Sequence, residues 1–349
     1  MNPVLENALI EQLTRTFRRS PLQLNGLQES DAELILIPGS ETVVAITTDT
    51  IAEEIAVGLY NDPYLAGWMV VMVNMSDLAA VGAKPIGMLV SELLPRRHTP
   101  EWLGRLQKGI NDACTTCNTY LLGGDTNTGD QFLLTGTAVG VLPDNKILTR
   151  KGMQPGDILY TTGRLGRGNS FALQKHVRTC TPSTYLPQAR IHEAQIIRRY
   201  ATACMDTSDG TLATLDQLTR MNSWGMQLAD DWDTLLDADA KACIEAAGLP
   251  SWLLLAGQHG EFELMFTLPE TAEADLVDKA MNAGWRPLRL GTVIKESKLL
   301  IPLYGTDVTI DATRLRNLAF EMNGDVEAYI KNLVAMDREI RKGEFHHDS

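Results

Sequence analysis

Asn74-Met75-Ser76-Asp77-Leu78-Ala79-Ala80-Val81-Gly82-Ala83-Lys84-Pro85 is the stretch on which the fold turns. It closes a long, Met-rich apolar run that begins at Tyr64, and the spacing predicts a helix over 64–81 that breaks at Gly82. Ile86 to Leu94 follows directly and reads as a strand. Apolar helix, glycine break and strand are one unit of an alternating β and α chain, hence an α/β or α+β fold. Asp77 lies near the end of the helix, where a carboxylate reaches a cleft.

Three more aspartates lie in short turns rich in Gly, Ser and Thr: Asp49 in Thr47-Thr48-Asp49-Thr50, Asp125 in Gly123-Gly124-Asp125-Thr126, and Asp209 in Met205-Asp206-Thr207-Ser208-Asp209-Gly210. One such turn means little, because Asp beside Gly or Thr commonly makes a turn or caps a helix. Four together mean more. Carboxylates brought close raise one another's pKa and call for a cation. Oxygen ligands without His or Cys select a hard ion, Mg²⁺ above all, which is commonly shared with substrate phosphates. The P-loop pattern GxxxxGK[ST] is absent.

Working outward, residues 1–20 read as an amphipathic helix and Leu34 to Thr48 as a hairpin or two short strands around Pro38-Gly39-Ser40. Pro100 to Asn118 reads as a helix, Tyr120 to Leu122 as a short strand and Phe132 to Leu142 as a strand. Lys151 to Gly156, with Gly, Pro and Gly in six residues, marks a boundary between domains 1–150 and 151–349. Beyond it, Asp157 to Thr162, Glu263 to Leu268 and Leu288 to Val293 read as strands, and Ile191 to Tyr200 and Thr211 to Asn222 as helices. The charged tail from Thr313 reads as helical until GEFHHDS at 343–349.

A chain of 349 residues can bury two cores. A net charge of −13 argues against nucleic acid and an anionic membrane surface as partners, but not against a nucleotide held by local cations. No run approaches 18 apolar residues and no signal peptide is evident, so the cytoplasm is the expected compartment. Five scattered cysteines do not suggest a disulfide framework. Cys114 and Cys117 share one apolar helix face with Leu106 and Ile110, which predicts core packing; no second CxxC completes a zinc site.

The order of the Asp turns and the text between them resemble the thiamine-monophosphate kinase branch of the AIR-synthase-like superfamily. The resemblance runs from about Asp31 to about Thr267. Its most specific pieces are residues 74–85, GGDT at 123–126, LTRKGMQPGDILYTTGRLG at 148–166 and MDTSDG at 205–210. It implies a two-domain architecture whose N-terminal sheet lies at a homodimer interface, with ATP in a nearby cleft. It also implies Asp31, Asp49, Asp77, Asp125 and Asp209 as Mg²⁺ ligands, Asp77 and Asp209 being central to catalysis. Gly123, Gly124 and Gly210 would let the backbone approach phosphate oxygens, and Thr50, Thr126 and Ser208 could donate hydroxyl hydrogen bonds. Asp206 either faces the same cleft or caps the following helix. Arg150 is either a phosphate contact or a surface arginine at the domain joint. The loop from Gly163 to Ser170, running from strand to helix, could cradle an anion.

The chain departs from that branch in three places. Ser30 stands where the first of two adjacent aspartates is expected, leaving Asp31 as the second. His259-Gly260-Glu261-Phe262-Glu263 is one Asp shorter than the branch's acceptor loop, with Phe262 for Tyr. Glu53-Glu54-Ile55 replaces a His-Phe pair after the first Asp turn. His259, Glu261 and Phe262 are therefore the candidate acceptor residues, with His259 either a general base or a loop histidine without a role. Three functions fit: an Mg²⁺- and ATP-dependent phosphotransferase acting on a small metabolite, an ATP-dependent amide- or carbonyl-activating enzyme, and a nucleotide-binding regulator without turnover.

Overall fold

The computed structural model describes residues 3–142, 144, 146–176, 185–322 and 324–343. The chain opens with α1 (Leu5–Thr14), β1 (Glu33–Leu36), β2 (Val43–Thr50), α2 (Ala52–Ala56), α3 (Pro63–Ala80), β3 (Lys84–Pro95), α4 (Pro100–Thr116), β4 (Leu121–Gly129) and β5 (Leu133–Val141). The five strands form one sheet in the order β1-β2-β5-β3-β4. Only β3 and β4 run parallel. The hairpin expected around Pro38-Gly39-Ser40 is present, with Leu36 opposite Val43.

After Val141 the chain crosses to a second sheet. In order come β6 (Ile158–Thr161), α5 (Arg167–His176), α6 (Ile191–Ile197), β7 (Ala203–Asp206), α7 (Thr211–Asn222), β8 (Gly225–Leu228), α8 (Ala238–Ala246), α9 (Leu253–Ala256), β9 (Leu264–Leu268), α10 (Glu270–Asn282), β10 (Leu288–Ile294), β11 (Leu299–Leu303), β12 (Thr306–Ile310), α11 (Ala312–Met322) and α12 (Val326–Lys342). Its seven strands run β12-β11-β8-β10-β6-β9-β7. The α/β class expected from the sequence is the one observed. No described helix is long and apolar enough to cross a membrane.

The α3 helix explains how the two sheets meet. Asp62 caps it by accepting from Tyr64 N, and Pro63 occupies its first turn. Every residue except Tyr64 and Asp77 is buried. A helix apolar all round must be covered on all sides, and α3 packs on β2, β3 and β5 in one direction and on β7 and α6 in the other. One hydrophobic cluster accordingly runs from Leu78, Val90 and Ala138 across to Leu264, Phe266 and Leu268. The opposite face of β9 sends Met265 into a second cluster with Leu215, Trp252 and Leu333. Gly82, at φ +71, ends α3 as expected.

Some expectations need correction. The N-terminal helix covers only Leu5–Thr14 of residues 1–20. The strand expected at 120–122 extends to Gly129 and absorbs GGDT, so Asp125 sits in a strand and not in a turn. Cys114 and Cys117 do pack in the core, where burial lifts their thiols to about 11 and about 12. Cys243, by contrast, is disulfide-bonded, although the sequence suggested no such bond. Residues 344–349, the end of the tail expected to fray, lie outside the described residues.

Candidate active site

Period-two alternation along β2 turns Thr47 and Asp49 towards α3. Thr47 Oγ1 donates to Asp77 Oδ2 at 2.5 Å, which fixes that face of the strand against the end of the helix. On the other side of α3, β7 ends in Asp206, whose Oδ2 accepts from Ser76 Oγ at 2.5 Å. Ser208 Oγ donates to Asp206 Oδ1 at 2.8 Å. The loop before β1 adds Asp31. The ligand oxygens of Asp31, Asp77 and Asp206 lie within 4.8 Å of one another.

The electrostatics are those of a site short of positive charge. Burial, then Asp206, Asp49 and Asp31, pushes Asp77 well above the ordinary carboxylate range. Asp206 is lifted to about 7 by burial and by Asp31. Asp49 rises to about 6, through burial first and Asp209 after it. Asp209 is raised by burial and by Glu6, against the pull of Arg316 and Arg150. Asp31 Oδ2 is buried with no hydrogen-bond partner. An all-oxygen donor set with an unused buried carboxylate oxygen fits a hard divalent ion such as Mg²⁺.

Asp31, Asp49, Asp77, Asp206 and Asp209 are thus brought into one neighbourhood. Of the two roles open to Asp206, cleft or helix cap, the cap is not the one observed: Asp206 is buried beside Asp31 and Asp77. The N-cap of α7 is Gly210, at φ +87 and with no side-chain cap. A Cβ at Gly210 would lie 2.2 Å from Gly257 O, so close packing of two loops requires this glycine. Arg150 is no surface residue: its Nη2 donates to Asp31 Oδ1 at 2.9 Å, with only 17% of its side chain exposed.

Asp125 stands apart. Register puts it beside Ser91, Ser91 beside Thr135 and Thr135 beside Thr50, one row running across four strands. Thr50 faces away from α3, since its neighbour Asp49 faces towards it, so this whole row lies on the outer side of the sheet. Three strand spacings separate Asp125 from β2, about 14 Å. Thr50 Oγ1 is engaged with Leu134 O at 3.0 Å, and Asp125 Oδ2 accepts from Asn127 Nδ2 at 2.8 Å. Gly123, Gly124 and Thr126 share this exposed edge strand, with Thr126 Oγ1 donating to Glu92 Oε2 at 3.3 Å.

The acceptor-loop candidates are buried. His259 is packed among Tyr60, Phe171 and Tyr185, with Nε2 3.3 Å from Tyr60 Oη. Burial lowers it to about 4, so it is neutral at physiological pH. Glu261 Oε1 accepts from Gly166 N, at the start of α5. The acceptor at that helix N-terminus is therefore the chain's own carboxyl oxygen, so the Gly166 N–H is already engaged and not open to a phosphate in the 163–170 loop. Phe262 is buried at φ +61, an uncommon conformation for a non-glycine residue. Glu263 bridges Arg190 Nε at 2.7 Å and Thr162 Oγ1 at 2.6 Å.

Sequence reasoning missed Thr47, Ser76 and Glu54. Thr47 is two residues before Asp49 on a strand, so alternation alone places both on one face. Ser76 was visible beside Asp77, but its partner comes from 130 residues away. Glu54 is lifted to about 7, chiefly by burial and then, among charges, by Asp49, Glu53 and Asp209.

Residues 29–142 match the family described as AIR synthase related protein, N-terminal domain. The thiamine-monophosphate kinase of Salmonella typhimurium is 30% identical over 276 residues, covering 76% of this chain and 83% of that protein. This chain belongs to the thiamine-monophosphate kinase family. It is accordingly a kinase-like enzyme. The thiamine-monophosphate kinase structure from Stenotrophomonas maltophilia is 25% identical with a TM-score of 0.62, covering 85% of this chain and 96% of that one. The fold is also that of AaThiL complexed with AMPPCP and TMP, at TM-score 0.72 and 21% identity over 87% of this chain and 94% of that one.

Proposed function

We propose that this chain is an Mg²⁺- and ATP-dependent phosphotransferase of the cytoplasm, acting on a small phosphorylated or heteroaromatic metabolite, with thiamine monophosphate the first acceptor to try. The observation that carries the reading is the trio Asp31, Asp77 and Asp206, whose oxygens lie within 4.8 Å while Asp31 Oδ2 is left without a partner. Relatives named thiamine-monophosphate kinase and a like-folded protein complexed with AMPPCP and TMP support the choice of nucleotide and acceptor.

Mg²⁺ held there would neutralise the nucleotide's phosphates and so ease in-line transfer of the γ-phosphoryl group. Asp31, Asp77 and Asp206 would hold it, with Asp49 and Asp209 at its side. Thr47, Ser76 and Ser208 fix the rotamers of the carboxylates they bond, so that little reorganisation is needed when phosphate arrives. The buried loop 259–263 shapes the acceptor side. We assign residues 1–150 and 151–349 to two domains that share the cleft. A homodimer formed through the exposed β4 edge would let Asp125 act in the partner's site, since the outer face of its own sheet keeps it from the trio.

The test is ³¹P NMR of Mg·ATP turnover with thiamine monophosphate, then with pooled metabolites. A new ester or diphosphate resonance is expected. Orthophosphate that appears only with an acceptor would replace this reading with amide or carbonyl activation, and bound ATP that never turns over would replace it with a regulator.

A further inference from the structure

We infer that Arg150 occupies the cation position at Asp31 in the nucleotide-free protein, and that a divalent ion and a nucleotide phosphate displace it together. This rests on the reading of the trio as a metal site. Ten buried side-chain polar atoms among the described residues have no hydrogen-bond partner, and three of them belong to Asp31, its chain neighbour Ser30 and its ion-pair partner Arg150: Ser30 Oγ, Asp31 Oδ2 and Arg150 Nε. Such atoms are costly to bury and rarely left unused.

Arg150 is anchored by its backbone. Its N–H donates to Glu29 O at 2.9 Å, and its carbonyl accepts from Asn222 Nδ2 at 2.8 Å. The guanidinium uses Nη2 on Asp31 Oδ1 and Nη1 on Gln28 O at 3.2 Å, leaving Nε idle. Asp77 and Asp206 lie close enough to act on the same guanidinium. It is thus a positive charge paired with Asp31 and felt by Asp77 and Asp206, and it takes one of the two oxygens Asp31 could offer an ion.

One guanidinium brings a single charge to a trio of carboxylates, whereas a divalent ion brings two. The ion alone would leave the half-buried guanidinium without its carboxylate, which is unfavourable. A phosphate resolves this, because it accepts the guanidinium fork, the unused Nε included, with two parallel hydrogen bonds. Ion and nucleotide should therefore bind with positive coupling, each making room for the other. Ser30 matters to this exchange: a hydroxyl in place of a second carboxylate leaves Asp31 as the guanidinium's only acidic partner in that loop.

The test is Mn²⁺ binding to the full chain by electron paramagnetic resonance, with and without AMPPCP and with free Mn·AMPPCP subtracted. Without nucleotide, Arg150→Gln should bind Mn²⁺ about tenfold more tightly than the native chain, as expected when one nearby positive charge is removed. AMPPCP should tighten Mn²⁺ binding strongly in the native chain and much less in Arg150→Gln, while Arg150→Lys, which keeps the charge, should bind Mn²⁺ as weakly as the native chain without nucleotide. Arg150→Gln binding no tighter than the native chain without nucleotide would make Arg150 a fixed brace and overturn the exchange. A native chain that binds no Mn²⁺ under either condition would sink the metal reading itself. Should Arg150→Gln not fold, guanidinium ¹⁵N NMR of the native chain decides. The Arg150 signal should move only when Mg²⁺ and AMPPCP are both present; a signal that stays in place overturns the exchange.

Discussion

Glu261 and His259 are neighbours in one buried loop, and burial drives both towards their neutral forms. Glu261 is lifted from 4.5 to about 8, the bond from Gly166 N opposing the rise. His259 is lowered from 6.5 to about 4. The folded chain therefore keeps the Glu261 proton after the unfolded chain has lost it, and stability falls as pH climbs from 4.5 to about 8. His259 works in the other window: the unfolded chain takes a proton that the folded one refuses, so stability falls as pH drops from 6.5 towards 4. Glu261→Gln keeps an oxygen for Gly166 N–H and removes the charge. Its melting temperature should exceed the native value at pH 8 by the few degrees that about 1–3 kcal/mol represents. At pH 4 the difference should vanish, and an equal rise at both pH values would show that the Glu261 charge is not its source. The identity of such residues was legible in the sequence; their partners mostly were not. Asp49, Asp77 and Asp209 announced themselves through their turns and Asp31 only through the family resemblance, but the Arg150–Asp31 pair joins residues 119 positions apart and exists only once the sheets close on α3.

At the scale of elements, α3 and α4 approach closely enough for backbone to touch backbone. A Cβ at Gly109 would fall 2.1 Å from Tyr64 O, and one at Gly67 2.3 Å from Leu106 O. Helix propensity alone says that Gly109→Ala should stabilise α4 by about 1 kcal/mol. The clash is with backbone, which cannot rotate away, and forcing the helices apart costs about 1–3 kcal/mol or more. Gly109→Ala should therefore lower the melting temperature. Gly104→Ala on the same helix, where nothing lies within 4 Å, should raise it slightly. Two variants that both raise it would refute the close crossing. The two helices were legible because the run from Tyr64 is long and apolar and because Pro100 marks the first turn of α4. The β4 strand was not, because Gly123-Gly124-Asp125-Thr126 has turn composition and only pairing with β3 makes it extended. The β11 strand was hidden by Pro302, which argues against a strand until β12 is seen paired with it.

At the scale of the molecule, the five-stranded sheet ends in an open edge. Tyr120, Leu121 and Leu122 on or beside β4 are 67%, 48% and 58% exposed, and Ile86 and Leu89 on β3 add 47% and 45%. A free strand edge with apolar side chains around it is a surface that natural proteins cover. The proposed homodimer covers it, and two consequences follow from symmetry. Leu122→Glu, which places a charge in that interface, should convert a dimer to a folded monomer by light scattering with unchanged circular dichroism. If Asp125 serves the partner's trio, the monomer should also lose turnover. Complementation then separates a shared site from a merely paired one. Asp77→Asn and Asp125→Asn chains should each be inactive alone. In a heterodimer carrying one of each, one site combines an intact Asp77 with the partner copy's intact Asp125, while the other site lacks both. Two-fold symmetry then predicts about half the native turnover for the purified heterodimer. If instead each chain used its own Asp125, every site in that heterodimer would lack one carboxylate, and it would be as inactive as its parents.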